Sequence, residues 1–468
     1  MEVEVVSKEF IKPSSPTPNH LKSHKLSLLD QFMPPTYCPM LLYYTIEGAD
    51  RATRKTTPIQ LLKQSLSKTL ALFYPFAGKM KDDLSIDCND EGALFIEARA
   101  EFPLSLLLER PDMETIGKIQ PRAAAWGEGG PGDPVAMVQA TTFACGGVAV
   151  CLLLSHTIAD GVSFMSFFKC WAATARNSGG TLRPNFDAPS FFIPGKTDTK
   201  EETYSSLCAP FANASRCGTR RFVFDASATA RLKAKASNSQ VRNPTRAEVV
   251  TALMLKSITA AWNKASNLDK PGALLQPHNL RPKAISSFPD DAIGNYVWPM
   301  PMLCEPEAKD NDLPGLVSRL REMKAKVDGP FVRSFVGDGG SAALRQGIRE
   351  ISESLARAQG LVSITSWCNF GHYEIDFGWG RPAWVSAVGT TEETQNLKVD
   401  IVILLDTKSR EGVEAWVFTG EDQLDVLEQN EELLEFASVD PSAFDRTRVK
   451  KKKSVSQLCR THMLVIQW

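Results

Sequence analysis

The residues Val148 to Leu154 are apolar without interruption, which predicts a strand buried on both faces. Ahead of it, Val135 to Phe143 alternates, with Gln139 and Thr141 on one face, and Cys145-Gly146-Gly147 supplies a turn. The two runs read as a hairpin. It delivers Ser155-His156-Thr157-Ile158-Ala159-Asp160-Gly161, after which Val162 to Ala173 has a helical pattern. Upstream, Thr57-Pro58 caps a helix whose apolar stripe is Ile59, Leu62, Leu66, Leu70 and Phe73, a core face. Downstream, Thr245-Arg246-Ala247-Glu248 is a capping box ahead of a helix from Val249 to Trp262. Two amphipathic helices come next, one on Leu316, Leu320, Met323 and Val327, the other on Leu344, Ile348, Ile351 and Leu355. Val399 to Leu405 and Val413 to Thr419 form a second hairpin. A last helix is expected over 421–437, with Leu424, Leu427 and Leu434 inward.

The pattern breaks between 179 and 220. Gly179-Gly180, Pro184, Pro189 and Pro194 lead into the polar stretch Lys196 to Ser206, and strand-like alternation resumes at Arg220. With 468 residues there is length for two domains. The expected division is a first domain over 1–195, a linker over 196–218 and a second domain over 219–443. Residues 444–468 carry a basic run, Arg446, Arg448 and Lys450 to Lys453, and are expected to be a solvated, disordered tail. Residues 13–20 are rich in Pro and Ser and read as an extended lead-in.

Charge and cysteines narrow the function classes. A net charge of -1 argues against a nucleic-acid partner. No apolar run has transmembrane length, and Glu2, Glu4 and Lys8 stand where a signal-peptide core would be. Ten cysteines without CxxC pairing, several within apolar runs such as Cys151 and Cys170, suit buried reduced thiols. A cytoplasmic protein with no membrane association is the expectation. Asn213-Ala214-Ser215 is then a chance match to a glycosylation acceptor.

His156 is the candidate for chemistry. A histidine at the end of a buried strand has fixed geometry and an ordinary pKa near neutral, as a general base requires. Asp160, four residues on, can orient the imidazole, bind a metal or lock the turn. No second His/Cys/Asp/Glu cluster has metal-ligand spacing, so no metal is expected. Cys145 has neither a base nor a nucleophile elbow beside it and reads as a turn residue. Gly337-Asp338-Gly339-Gly340 lacks the Lys-Ser/Thr of a phosphate loop. Asp376-Phe377-Gly378 lacks every companion motif of a kinase.

Two separated motifs, His156-Thr157-Ile158-Ala159-Asp160-Gly161 and Asp376-Phe377-Gly378-Trp379-Gly380, together resemble the paired signatures of the plant BAHD acyltransferases. The resemblance runs over about residues 5–443. It includes Tyr74 to Lys79, Gln139 to Gly147, Thr245 to Glu248, Asn279-Leu280-Arg281 and Gly294-Asn295. Ile11 to Pro18 and Leu28-Leu29-Asp30-Gln31 are most similar to the vinorine synthase-like group. That resemblance implies an α/β fold of two similar chloramphenicol acetyltransferase-like domains, with mixed sheets, helices and a channel between them. It implies acyl-CoA, preferably acetyl-CoA, as co-substrate, no permanent cofactor, and an alkaloid or terpenoid alcohol as acceptor, in a monomer. His156 is then the base of a direct transfer. Thr365 and Trp367 are candidate oxyanion donors, and Asp160 is paired with Arg281. Asp376, Gly378, Trp379 and Gly380 shape the CoA side, and Thr245 touches CoA. Three departures stand out: Ser155 replaces a first histidine, Asn369 to His372 replaces more apolar residues, and Lys79 stands where Arg is common. The competing readings are a catalytically silent binder of CoA or metabolite and a thioesterase.

Overall fold

The computed structural model describes residues 1–46, 56–121, 129–178, 183–195, 203–211, 216–266, 271–283, 288–289, 291–305, 308, 310–391, 395 and 399–444. The basic run expected in the tail and Asn213 lie outside the described residues. The chain builds two large mixed sheets. The first has the order β1 (Val3–Ile11), β6 (Ala93–Ala100), β7 (Ala136–Phe143), β8 (Val148–Ser155), β3 (Tyr37–Tyr44) and β13 (Trp384–Ser386). The second has the order β11 (Val297–Cys304), β10 (Gly272–Asn279), β12 (Gly360–Ser366), β14 (Asp400–Asp406), β15 (Val413–Gly420), β9 (Cys217–Phe224) and β16 (Ser438–Val439). A small sheet joins β2 (Ser23–Lys25), β5 (Ser85–Asp87) and β4 (Lys79–Asp82).

The central hairpin forms as its pattern predicts. β7 and β8 pair antiparallel, and Gly146 takes a positive φ of 80° in the turn between them. β7 departs from a two-faced strand. Gln139 and Thr141 are both buried, and the Gln139 amide is satisfied by the Lys118 carbonyl and the Thr141 hydroxyl. β7 lies between β6 and β8, so neither of its edges faces solvent. Cys145, unlike the other described cysteines, is exposed at the turn.

Helices α1 (Leu28–Phe32), α2 (Pro58–Leu72) and α3 (Gly161–Ala175) serve the first half, and α4 (Arg246–Ser266), α5 (Leu313–Ala325) and α6 (Gly340–Leu355) the second. α2 and α3 pack together, Trp171 donating its indole N–H to the Leu62 carbonyl and the Ser65 hydroxyl at 3.2 and 3.0 Å. The single last helix expected over 421–437 is two short ones, α7 (Glu421–Leu427) and α8 (Glu431–Leu434). Asn430 caps the second by accepting from the Leu433 amide at 2.9 Å, which resets the helical phase. Leu433 is therefore the buried residue, and Leu434, expected inward, is 39% exposed.

Two elements cross between the halves. β13 comes from the second half but pairs with β3 in the first sheet, Val385 opposite Leu42. α1 comes from the first half, yet Leu28, Leu29 and Phe32 sit in one cluster with Trp298, Leu344 and Ile348. Phe32 stacks on Trp298 at 5.2 Å. The described part of 196–218 is packed as well. Tyr204 is hydrogen-bonded to Ser363 of β12 at 3.0 Å.

Candidate active site

His156 follows β8 directly, and its amide donates to the Thr36 carbonyl at 2.7 Å, extending the pairing with β3 by one step. The ring is fixed from the other half of the chain. Its Nδ1 lies 3.1 Å from Asn295 Oδ1. The Asn295 Nδ2 group has two acceptors, the His156 carbonyl at 2.7 Å and Asp30 Oδ1 at 2.9 Å. An amide whose NH₂ is taken twice presents its oxygen to the ring. In the neutral ring the proton is then on Nδ1, and Nε2 carries the lone pair.

Asp30 holds Asn295 in turn. It is buried in α1 and accepts from the Asn295 backbone amide at 2.8 Å, and from the Ser27 amide and hydroxyl at 2.9 and 2.6 Å. Burial raises its carboxyl above the usual range, and the donors of Ser27 and Asn295 act against that. Burial likewise lowers the basicity of His156, but the neighbouring Cys38 and, beyond it, Asp160 raise it, to about 9, above the near-neutral value expected of the base.

Asp160 does not hold the ring. Its carboxylate caps α3, accepting from the Ser163 amide at 2.9 Å, and it also accepts from the Tyr296 amide at 3.1 Å. Arg281 grips both oxygens, Nη1 to Oδ2 at 2.6 Å and Nη2 to Oδ1 at 3.2 Å. The guanidinium also reaches the Ser163 hydroxyl and the Ala292 and Gly294 carbonyls, and lies 4.4 Å over the Tyr296 ring. Burial pushes the Asp160 carboxyl up, but Arg281 and the two amides outweigh it and hold it below the usual range.

Trp367 lies at the same end of α3. A Cβ built on Gly161 would be 3.6 Å from the Trp367 indole nitrogen and 2.8 Å from the Phe370 ring, so only glycine lets these side chains approach. Thr365 is half-buried near the end of β12, opposite Ile403. The unusual Asn369 to His372 segment has a physical basis. Asn369 takes a φ of 67°, a left-handed position that asparagine tolerates, and its amide donates to Asp406 at 2.6 Å. His372 is buried against Trp367 and Phe370, and burial, then Lys169, lower its imidazole to about 3.

The remaining expected residues sit apart. Asp376 Oδ1 accepts from the Gly378 and Gly380 amides at 2.7 and 2.9 Å, and both glycines have φ of 103°. Phe377 packs on Trp171 at 4.9 Å, and Arg176 donates to the Asp376 carbonyl at 2.7 Å. That loop therefore meets the C-terminal end of α3. At 1.5 Å per residue, roughly 20 Å of helix separates it from Asp160. Thr245 is exposed and caps α4, its hydroxyl accepting from the Glu248 amide at 3.2 Å. Its neighbour Arg246 reaches Asp406 at 3.0 Å and Asn369 at 3.3 Å, so the start of α4 adjoins the Trp367 loop. A cavity of about 930 Å³, lined in part by Glu114, Lys118, Arg216, Arg220, Glu421 and Asp425, contains none of these site residues. Among the described residues no group of three or more His, Cys, Asp or Glu side chains is placed to hold a metal ion.

The Transferase family model matches residues 1–434. The chain belongs to the BAHD family of acyl-CoA-dependent acyltransferases. It is 44% identical to limonoid 7-O-acetyltransferase of Citrus sinensis, over 94% of this chain and 99% of that protein. It is 42% identical to epi-neemfruitin B 7-O-acetyltransferase of Melia azedarach, over 94% of this chain and 100% of that protein. The crystal structure of vinorine synthase superposes with a TM-score of 0.76 at 31% identity, covering 95% of this chain and all of that one. TRI101 of F. sporotrichioides in complex with coenzyme A and T-2 shares the fold at a TM-score of 0.67 and 18% identity, covering 89% of this chain and 99% of that one.

Within this BAHD chain, reading by residue pattern missed Cys38, and it assigned no role to Asp30 or Asn295. Asp30 and Asn295 lie in short stretches that the resemblance singled out, but nothing local marks their partners. Asn295 is 139 positions from His156 and 265 from Asp30. Cys38 lies in an unbroken buried strand and carries no local signal.

Proposed function

We propose that this chain transfers an acetyl group from acetyl-CoA to a hydroxyl of a terpenoid specialised metabolite, with His156 as general base. The observation that carries the mechanism is the Asn295 clamp, which commits Nδ1 as donor and leaves Nε2 as the proton acceptor. An alcohol is far too weak an acid to ionise near neutral pH, so base assistance during attack is what the reaction needs. Nε2 takes the hydroxyl proton as the oxygen attacks the thioester carbonyl. The tetrahedral oxyanion then needs donors already in place. The Trp367 indole N–H and the Thr365 hydroxyl are the groups we assign to it. Collapse expels the CoA thiolate, which the imidazolium protonates. Asp160 and Arg281 hold the start of α3, and Asp376 to Gly380 and Thr245 shape the CoA side of a channel between the two halves.

The terpenoid acceptor rests on identity. The relative at 44% is named for limonoid 7-O-acetylation and that at 42% for epi-neemfruitin B 7-O-acetylation, whereas those named for akuammiline and stemmadenine stand at 33–34%. We read the chain as domains 1–195 and 219–443 joined by 196–218, acting as a cytoplasmic monomer. Among the described residues no helix is long and apolar enough to cross a membrane.

The test is mass spectrometry of purified protein with acetyl-CoA and a panel of limonoid, other terpenoid and alkaloid alcohols, beside His156→Ala. An acetylated limonoid alcohol, absent with the variant, supports the reading. Product from alkaloid alcohols alone overturns the acceptor class. CoA release independent of alcohol indicates a thioesterase, and acetyl-CoA binding without any release indicates a silent binder.

A further inference from the structure

A buried carboxylate without a cation stands one amide away from the base. Asp30 is 1% exposed and forms no ion pair among the described residues. Its close contacts are neutral donors. The Asn295 backbone amide and Nδ2 group reach Oδ1 at 2.8 and 2.9 Å, and the Ser27 amide and hydroxyl reach Oδ2 at 2.9 and 2.6 Å. An ionised carboxylate accepts from all four, whereas a carboxylic acid would have to donate from one oxygen. A buried charge ordinarily has a partner of opposite sign. The other end of the Asn295 side chain lies 3.1 Å from His156 Nδ1, and that ring becomes a cation when Nε2 takes a proton. Asp160, the other carboxylate acting on the ring, already has Arg281. Cys38 of β3 is the remaining titratable neighbour that acts on it.

We propose that Asp30 is a positioning residue that supplies the counter-charge for the His156 imidazolium, acting through the side-chain amide of Asn295. The inference rests on the reading of His156 as general base and adds a member to that site. The carboxylate holds the Nδ2 group, which keeps Oδ1 turned toward the ring and polarises it. Oδ1 then accepts more strongly from the Nδ1 proton as positive charge grows on the imidazole. No proton passes along this chain of groups. Nε2 takes the alcohol proton and later gives it to the CoA thiolate, Nδ1 keeps its own, and Asp30 stays ionised. A carboxylate that touches the imidazole does the same in a Ser-His-Asp triad; here an amide is inserted between the two. Asp30 and His156 come from the first half of the chain and Asn295 from the second, so the arrangement exists only when the halves are assembled.

The experiment titrates the ring nitrogens of His156 by NMR on the full chain with labelled histidine, the signals being assigned by their absence in His156→Ala. Acetyl transfer to a limonoid alcohol, acetyl-CoA affinity and melting temperature are measured on the same samples. Removing a negative charge makes the imidazolium less stable, so Asp30→Asn should move the His156 titration to lower pH. It should lower kcat by about 10–100-fold, the usual effect of a group that acts through another, and leave KM and acetyl-CoA affinity unchanged. In an Asn295→Ala background the same substitution should cause no further shift. An unmoved titration overturns the inference, as does a lower melting temperature without a shift, which is a structural role alone. An equal shift in both backgrounds overturns the part given to Asn295. Where Asp30→Asn does not fold, carboxyl NMR of the unaltered chain decides: Asp30 should be ionised at neutral pH, and a protonated Asp30 overturns the inference. Each of these failures leaves the proposed function standing, whereas a His156→Ala variant that acetylates as fast as the unaltered chain overturns both.

Discussion

At the scale of residues, His156 depends on groups that reach it from three distant stretches: Cys38, Asn295 and, through Asn295, Asp30. His156→Ala is expected to keep its melting temperature and acetyl-CoA affinity and to lose turnover by about 10²–10⁴-fold, the usual worth of general base assistance. A loss matched by a falling melting temperature would assign His156 a structural part instead. The pH profile tests the influence of Cys38. A base works deprotonated, so kcat/KM should rise with pH through about 9, where burial and the opposing influence of Cys38 place the imidazole. Cys38→Ala removes the largest raising influence and leaves burial, opposed by Asp160, so the rising limb should move to lower pH. A limb that stays near 9 in that variant would show that another group sets it. Only part of this centre is legible in the sequence. The buried run ending on a histidine marks His156. Asn295 has no periodicity, spacing or charge pattern that announces a hydrogen bond 139 positions away.

At the scale of elements, the start of α3 does the positioning. Asp160 caps the helix and binds Arg281, and burial makes the ion pair matter more than a surface pair would. Asp160→Ala leaves the Arg281 guanidinium, 11% exposed, without its partner and is expected to cost about 3–5 kcal/mol, read as a lower melting temperature and less soluble protein. Asp160→Asn separates the two roles, because asparagine caps well but carries no charge. It should retain the helix start and still lose most of the stability. Stability equal to that of the unaltered chain would assign the role to capping alone. Elements of this kind are the most readable from sequence. The cap at Thr57, the capping box at Thr245 and the stripes of α2 and α6 appear where the pattern puts them. The break at Asn430 is not readable, because the leucines of 421–437 suit one continuous helix until a cap resets the phase.

At the scale of the molecule, the two halves exchange elements, and the site lies where they do. α1 carries Asp30 into the second half's core, and β13 closes the edge of the first sheet. Arg221 adds a buried tie. It is 3.2 Å from Glu414 and lies between Trp384 of β13 and Trp416 of β15. Val385→Pro is expected to uncouple the halves, since proline can neither donate the Val385 amide to the Tyr373 hydroxyl nor sit within paired strands. Scanning calorimetry should then resolve two unfolding transitions in place of one, with activity lost. A single unshifted transition would mean that β13 contributes no coupling.

The order of residues by itself determines the local features of this protein. Strands, helices, caps and turns arise from interactions within a few positions, so hydrophobic period and capping chemistry specify them, and the two motifs point to the family. Which groups surround His156 is a matter of packing. Asp30, Cys38, Asn295 and Arg281 meet that site because strands pair and layers stack across hundreds of positions. A contact between distant residues is decided by burial and hydrogen-bond satisfaction in the assembled core, and neither quantity exists until the chain has folded.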